Sequence, residues 1–283
     1  MSFPDYDQKC NDHKSLLILV KSISGRNSNT QLSSKIFNKL YERIANLDEL
    51  CIEDAQGMGC QRLIRLRYKR NEYENENNDW GDFQCHRKLL GLITISKYNG
   101  NDADLQDVYA EYQNTVDKYS STLYDSRCLV FEVKEKQDLP NSCPQTNGDN
   151  CESNEQLPTS LTSGGDCVNE HLESGNGCEN SRQCDDGSDN DVKDLISSLF
   201  WVLESKRLDR SYEKLDKIPL LMAPFETKAL IGLDTDSKIF KRKCMGRMRK
   251  YMGDLSLLAG LPSEALSHYG NSIDTLRSAN DWL

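Results

Sequence analysis

The sequence predicts an α/β domain, a mixed sheet with packed helices, followed by the start of an α-helical array of tetratricopeptide type. Three observations lead there. Leu16-Leu17-Ile18-Leu19-Val20 is apolar at every position, so both faces of that strand are covered, as in the middle of a sheet with layers on both sides. Strand-like and helix-like periods then alternate along the chain, the pattern of helices laid on one sheet. From Lys238 onward, two helical stripes follow one another across Gly260 and Pro262, and a single helical hairpin cannot bury its own apolar sides.

After the first strand, residues 25–29 turn the chain, and Leu32, Ile36, Leu40, Ile44 and Leu47 recur at helical spacing. Leu50-Cys51-Ile52 reads as a short strand, and Gly57 and Gly59 mark a hairpin turn. Along 62–69, Ile64, Leu66 and Tyr68 alternate with Arg65, Arg67 and Lys69, the signature of a half-exposed strand. Residues 89–95 form a second buried strand, 105–119 a helix and 128–133 a further strand. Residues 1–135 are thus the first part of the α/β domain.

Residues 136–191 hold twelve Asp and Glu against Lys136 and Arg182, with no aromatic residue. Such a segment buries too little surface to offset the entropy of ordering it, so it is expected to be an acidic disordered insert. Val192, Leu195, Ile196, Leu199, Phe200 and Leu203 restart a helix. Ile218 to Phe225, bracketed by Pro219 and Pro224, reads as an edge strand. Residues 192–237 so complete the domain.

In 238–283 the first stripe is Phe240, Cys244, Met248, Tyr251, Leu255 and Leu258, and the second is Leu266, Tyr269, Ile273 and Leu276. Gly260 stops one helix, and Pro262 suits the first position of the next. Gly253, Ala265 and Tyr269 fall at the small and large packing positions of a tetratricopeptide hairpin. A third helix is expected to open at Asn280-Asp281-Trp282-Leu283, which makes the chain the front of a longer helical molecule.

The net charge of −10 comes from the insert, since the rest holds 33 basic and 33 acidic residues. It is therefore no argument for a basic partner of the core. Cys51, Cys128 and Cys244 lie in apolar patterns, where a reduced cysteine acts as a small hydrophobe. With no basic-then-apolar leader at Met1–Tyr6, a reducing, cytosolic setting is expected. The apolar runs fall far short of the ~20 residues that span a bilayer, so any membrane contact is peripheral.

Candidate chemistry is sparse. Gly57-Met58-Gly59 has Arg62 where a dinucleotide loop wants its third glycine, and a strand follows where a helix is needed. The insert cysteines, Cys143, Cys151, Cys167, Cys178 and Cys184, lack the close pairs of a zinc site. Asp234 and Asp236 suit a helix cap better than a cation loop, because Ile239 stands where an EF-hand needs glycine. Cys85 and His86 are chain neighbours that point apart on an extended strand. With Asp82, they are the residues any hidden enzyme site would use. The one dense basic cluster is Lys241, Arg242, Lys243, Arg247, Arg249 and Lys250. Of these, Arg242, Lys243, Arg247, Arg249 and Lys250 are the candidate interaction residues. Their face suits acidic lipid headgroups, an acidic partner or the chain's own insert, and an ordinary solvated face is the plainer reading. Nucleic acid is not indicated, since no aromatic platform accompanies the charge.

Several longer motifs are too idiosyncratic to follow from periodicity: Asn78-Asp79-Trp80-Gly81-Asp82-Phe83-Gln84 with His86-Arg87-Lys88; Ser121-Thr122-Leu123-Tyr124-Asp125-Ser126-Arg127; Leu203-Glu204-Ser205-Lys206-Arg207-Leu208-Asp209-Arg210; Gly232-Leu233-Asp234-Thr235-Asp236-Ser237; and Gly246-Arg247-Met248-Arg249-Lys250 with Gly253-Asp254-Leu255. In this order, over nearly the whole chain except the insert, the sequence resembles the N-terminal region of the trafficking protein particle (TRAPP) complex subunit 9 family. The resemblance implies an N-terminal α/β domain followed by helical repeats. It implies a non-catalytic scaffold of the TRAPP II tether, peripheral to the Golgi, with other TRAPP subunits as partners. Rab GTPases would be served indirectly, because exchange resides in other subunits, and contact with anionic Golgi membrane is compatible with that role. It transfers no catalytic, cofactor-binding or metal-binding residue. The alternatives are a signalling adaptor for kinases of the NF-kappa-B pathway, raised by the family's second name (NIK- and IKK-beta-binding protein), and an unrecognised α/β enzyme.

Overall fold

The structure, a computed structural model, describes residues 9–25, 31–53, 61–74, 79–98, 100–132, 160–163, 186–211, 219–226 and 237–282. The doubly apolar run lies in β1 (Ser15–Ser22), buried from Ser15 through Val20. Because successive side chains of a strand point to opposite faces, Leu16, Ile18 and Val20 enter one core cluster and Leu17 and Leu19 another.

The other strands are β2 (Glu49–Glu53), β3 (Gln61–Arg70), β4 (Leu89–Tyr98), β5 (Asp125–Glu132) and β6 (Ser160–Ser163). They form one sheet in the order β2-β3-β1-β4-β5-β6. The central four are parallel, while β2 and β6 pair antiparallel at the two edges. The mixed sheet and the interior place of β1 are therefore as expected. The antiparallel pairing of β2 with β3 also suits a hairpin, although residues 54–60 lie outside the described part.

Helix α1 (Ser34–Ala45) opens at Ser33, whose hydroxyl accepts the Ile36 N–H, a cap worth ~1 kcal/mol. Helix α2 (Asp102–Tyr119) is capped in the same manner by Asn101 and covers the second face with Val108 and Tyr119. Helix α3 (Asp186–Ser211) lays Leu195, Ile196, Leu199, Phe200 and Leu203 on the first face, beside Phe37, Leu40 and Ile44 of α1. One contact sets how closely α3 approaches the sheet. The β1–β4 register skips one residue between Leu17 and Ile18, a bulge that turns both Leu90 and Gly91 toward α3. A Cβ on Gly91 would stand 2.8 Å from Leu199 Cδ1, so the missing side chain is what admits the helix.

Helices α4 (Lys238–Leu258) and α5 (Pro262–Ser278) make the hairpin. Gly260 joins them at φ +75°, a left-handed conformation that favours glycine. The inner side interlocks by small-to-large pairing: a Cβ on Gly253 would meet Tyr269 Cε1 at 2.5 Å, and one on Gly246 would meet Leu276 Cδ2 at 2.5 Å. Met248, Tyr251, Leu255 and Leu258 of α4 belong to the same core cluster as β1 and α3. The boundary expected at 238 therefore does not separate two cores. The hairpin is on view; a longer array is not, among the described residues.

Four expectations are corrected. Residues 219–223 form no strand and 224–226 make a 3-10 turn, because two prolines withhold N–H donors and the segment serves α4 instead of a sheet edge. The insert is not without structure throughout: Ser160–Ser163 pairs with β5 and Asp186 onward is helical, while the rest of 136–191 lies outside the described residues. Asn280, at φ 53°, ends α5 rather than opening a helix. Cys51 is exposed, whereas Cys128 and Cys244 are buried as expected.

Candidate functional site

The basic cluster of α4 divides into two groups. Arg247 sits three residues after Cys244 and four before Tyr251, which places it on the apolar side of the helix. Its side chain is 3% exposed. The guanidinium makes five hydrogen bonds: Nε to Asp281 Oδ2 at 2.7 Å, Nη2 to Asp281 Oδ1 at 3.0 Å, Nη1 to Glu226 Oε2 at 2.6 Å, Nη2 to Glu226 Oε1 at 2.8 Å and Nη1 to the Leu221 carbonyl at 2.8 Å. Burial alone would lower the Arg247 pKa. The hydrogen bonds and charges of Glu226 and Asp281 outweigh it, and the pKa is raised. Likewise, desolvation pushes the Glu226 carboxyl up, but Arg247 and the Ala223 N–H bring it below its ordinary value. Two forked carboxylates thus clamp one arginine, tying α4 to the 219–226 segment and to the residues after α5.

The Trp80–Phe83 loop closes over the same place. The Phe83 ring lies 5.4 Å from Arg247 Cζ and 5.5 Å from Lys250 Nζ. Trp80 packs against Phe83 and Phe225, with Arg87 over its ring. Lys250 donates to the Phe83 carbonyl and to Asp254, both at 2.6 Å, and Arg249 donates to Thr275 Oγ1 at 2.8 Å. These three cations of the candidate set are used internally.

The other group is the first two turns of α4. Lys238 and Lys241 are exposed, Arg242 and Lys243 half-buried, and none of the four has an ion-pair partner among the described residues. Ile239, among them, is 58% exposed.

A second charged joint holds the sheet to the hairpin. Glu204 of α3 binds Arg62 of β3 at 3.0 Å and Arg207 at 2.7 Å, while Arg207 reaches Glu264 of α5 at 2.6 Å. Desolvation raises the Glu204 pKa, yet the two arginines bring it below its ordinary value.

The residues of a hidden enzyme site do not assemble into one. Asp82 is turned to solvent and paired with Lys88. Burial, followed by the charge of Asp254, pushes the Cys85 thiol well above its ordinary range, the reverse of what a thiolate nucleophile needs. His86 is buried against His13, ring centroids 4.0 Å apart. Desolvation, then the charge of His13, lowers its pKa to about 3. These are the electrostatics of packed side chains. The described residues contain no group of three or more potential metal-ligating side chains.

Sequence reasoning missed Glu226, Asp281 and the Leu221 carbonyl. The available signal was Arg247 itself, a cation inside an apolar stripe that demands buried counter-charges.

A family model described as "Trs120/TRAPPC9, N-terminal domain" matches residues 193–283, from α3 through α5. Trafficking protein particle complex subunit 9 of Mus musculus is 39% identical over 100% of the chain, and that of Homo sapiens 38%. The chain belongs to the Trs120/TRAPPC9 family. It spans about a fifth of the length of those relatives, 21% in each case. A more distant member, the trafficking protein particle complex II-specific subunit 120 homolog of Arabidopsis thaliana, is 26% identical over 77% of the chain and 16% of its own length. In this Trs120/TRAPPC9 chain no described helix is long and apolar enough to cross a membrane.

Proposed function

We propose that the chain is a non-catalytic scaffold and tether subunit of a TRAPP II complex, peripheral to the Golgi. It supports Rab GTPase nucleotide exchange that other subunits carry out. The relatives' names supply the assembly, and the observation that carries a scaffold role is the outer face of α5. There Leu266 is 72% and Ile273 50% exposed. Gly270 lies between them, and a Cβ placed on it meets nothing within 4 Å. Glycine inside a helix costs about 1 kcal/mol relative to alanine. The inner side of the same hairpin supplies a use for it, because Gly253 receives Tyr269 and Gly246 receives Leu276. Gly270 offers the same seat to a large side chain of a further helix, the arrangement that builds a tetratricopeptide-like array. The relatives extend far beyond this stretch, which leaves room for such helices. Sites of this kind serve assembly; the buried Cys85 and neutral His86 offer no reaction.

The test is affinity capture of the tagged chain from cells, followed by mass spectrometry. Enrichment of other trafficking protein particle subunits is the expected result. Recovery of NF-kappa-B pathway kinases with no such subunit would replace this reading by the adaptor one.

A further inference from the structure

We infer that the first two turns of α4 form a contact site for an anionic lipid bilayer, made by Lys238, Lys241, Arg242 and Lys243 around Ile239. Six consecutive residues, Lys238 to Lys243, hold four cations and no anion, and the next acidic residue along the helix is Asp254. Where Arg247, Lys250 and Arg207 each have a carboxylate partner, these four have none among the described residues. Their position also works against the helix, since the N-terminal end already carries the positive pole of its dipole. Among the described residues nothing in the fold neutralises these charges. A local rule broken without compensation there points to a use beyond the packing of the described fold.

The Phe240 N–H is taken by Ser237 Oγ at 3.1 Å, and the binding elements of the proposed site are the side chains. Their charge complements phosphate and carboxylate headgroups, each Lys or Arg near such a surface strengthening binding about fivefold. Ile239 decides between a membrane and an acidic protein. An aliphatic side chain 58% exposed among cations suits the boundary between headgroups and acyl chains, where basic and apolar side chains act together. On this reading Arg247 and Lys250 take no part in membrane contact, and the site does not depend on which subunits the chain joins.

Flotation of the chain with phosphatidylcholine vesicles, with and without phosphatidylserine, tests the proposal. Binding is expected only with the anionic lipid and is expected to weaken as salt rises. Lys241→Gln with Arg242→Gln should lower the partition coefficient about twenty-five-fold. Ile239→Ser should lower it severalfold while leaving binding to soluble heparin unchanged. Lys238→Gln with Lys243→Gln provides an independent pair, and circular dichroism establishes that each variant is folded. Equal binding to both vesicle types, or anionic binding unaffected by both charge pairs, overturns the proposal. So does heparin binding with no vesicle binding, which would assign the patch to an acidic macromolecule.

Discussion

Arg247 shows what a single residue can hold once its partners are inside with it. Glu226 and Asp281 lie 21 and 34 residues away in the chain, so the pairing could not be read from local spacing, although the misplaced cation could. Removing the guanidinium leaves two carboxylates facing each other with little water to screen them. Arg247→Met is therefore expected to cost about 3–5 kcal/mol, measured by urea unfolding. Arg247→Lys should cost less, because it keeps the charge but not the forked geometry. Arg247→Met with Glu226→Gln and Asp281→Asn should recover part of the loss. His86 sets a pH dependence. Its pKa is about 3 in the native chain against 6.5 ordinarily, so between those values the unfolded chain binds a proton that the native chain refuses. Stability should fall as pH drops through that window, by up to about 1.4 kcal/mol per pH unit. Glu204 and Glu226, both held below their ordinary values, add a loss in the same direction at lower pH. Unfolding midpoints compared with those of His86→Gln isolate the histidine, and an unchanged slope in that variant would assign the effect elsewhere.

Among the elements, the legible ones were those whose burial is written in consecutive residues. β1 and β4 are apolar on both faces, and β3 alternates. The 219–226 segment was misread because an apolar run between prolines looks the same whether it pairs with a strand or is pinned by an arginine. β6 was missed because Ser160-Leu161-Thr162-Ser163 carries little apolar signal, and its place depends on β5. The hairpin yields a paired test of the small-to-large packing. Gly253→Ala drives a Cβ to 2.5 Å from the Tyr269 ring and should cost about 1–3 kcal/mol. Gly270→Ala enters open space and should gain about 1 kcal/mol from helix propensity. Thermal melts of the two variants should move in opposite directions. A matching shift would show that Gly253 and Tyr269 yield freely and that the interlock does not set the hairpin.

For the whole molecule, the sequence suggests a head and a separate helical extension, and the packing merges them. Met248, Tyr251, Leu255 and Leu258 fill the first face of the sheet together with α1 and α3. Each such side chain contributes about 1.5–3 kcal/mol when fully buried. Two ion pairs, Arg247 with Glu226 and Arg207 with Glu264, cross the same boundary. The loss on removing 238–283 is then comparable to the 5–15 kcal/mol that keeps a domain folded. A chain ending before Lys238 is therefore expected to show no cooperative transition. The 283-residue chain should unfold in one step, with near- and far-ultraviolet circular dichroism coinciding in urea. Two separated transitions in the longer chain, or a cooperative melt of the shorter one, would mean that the α/β part stabilises itself and that α4 is a passenger on its surface.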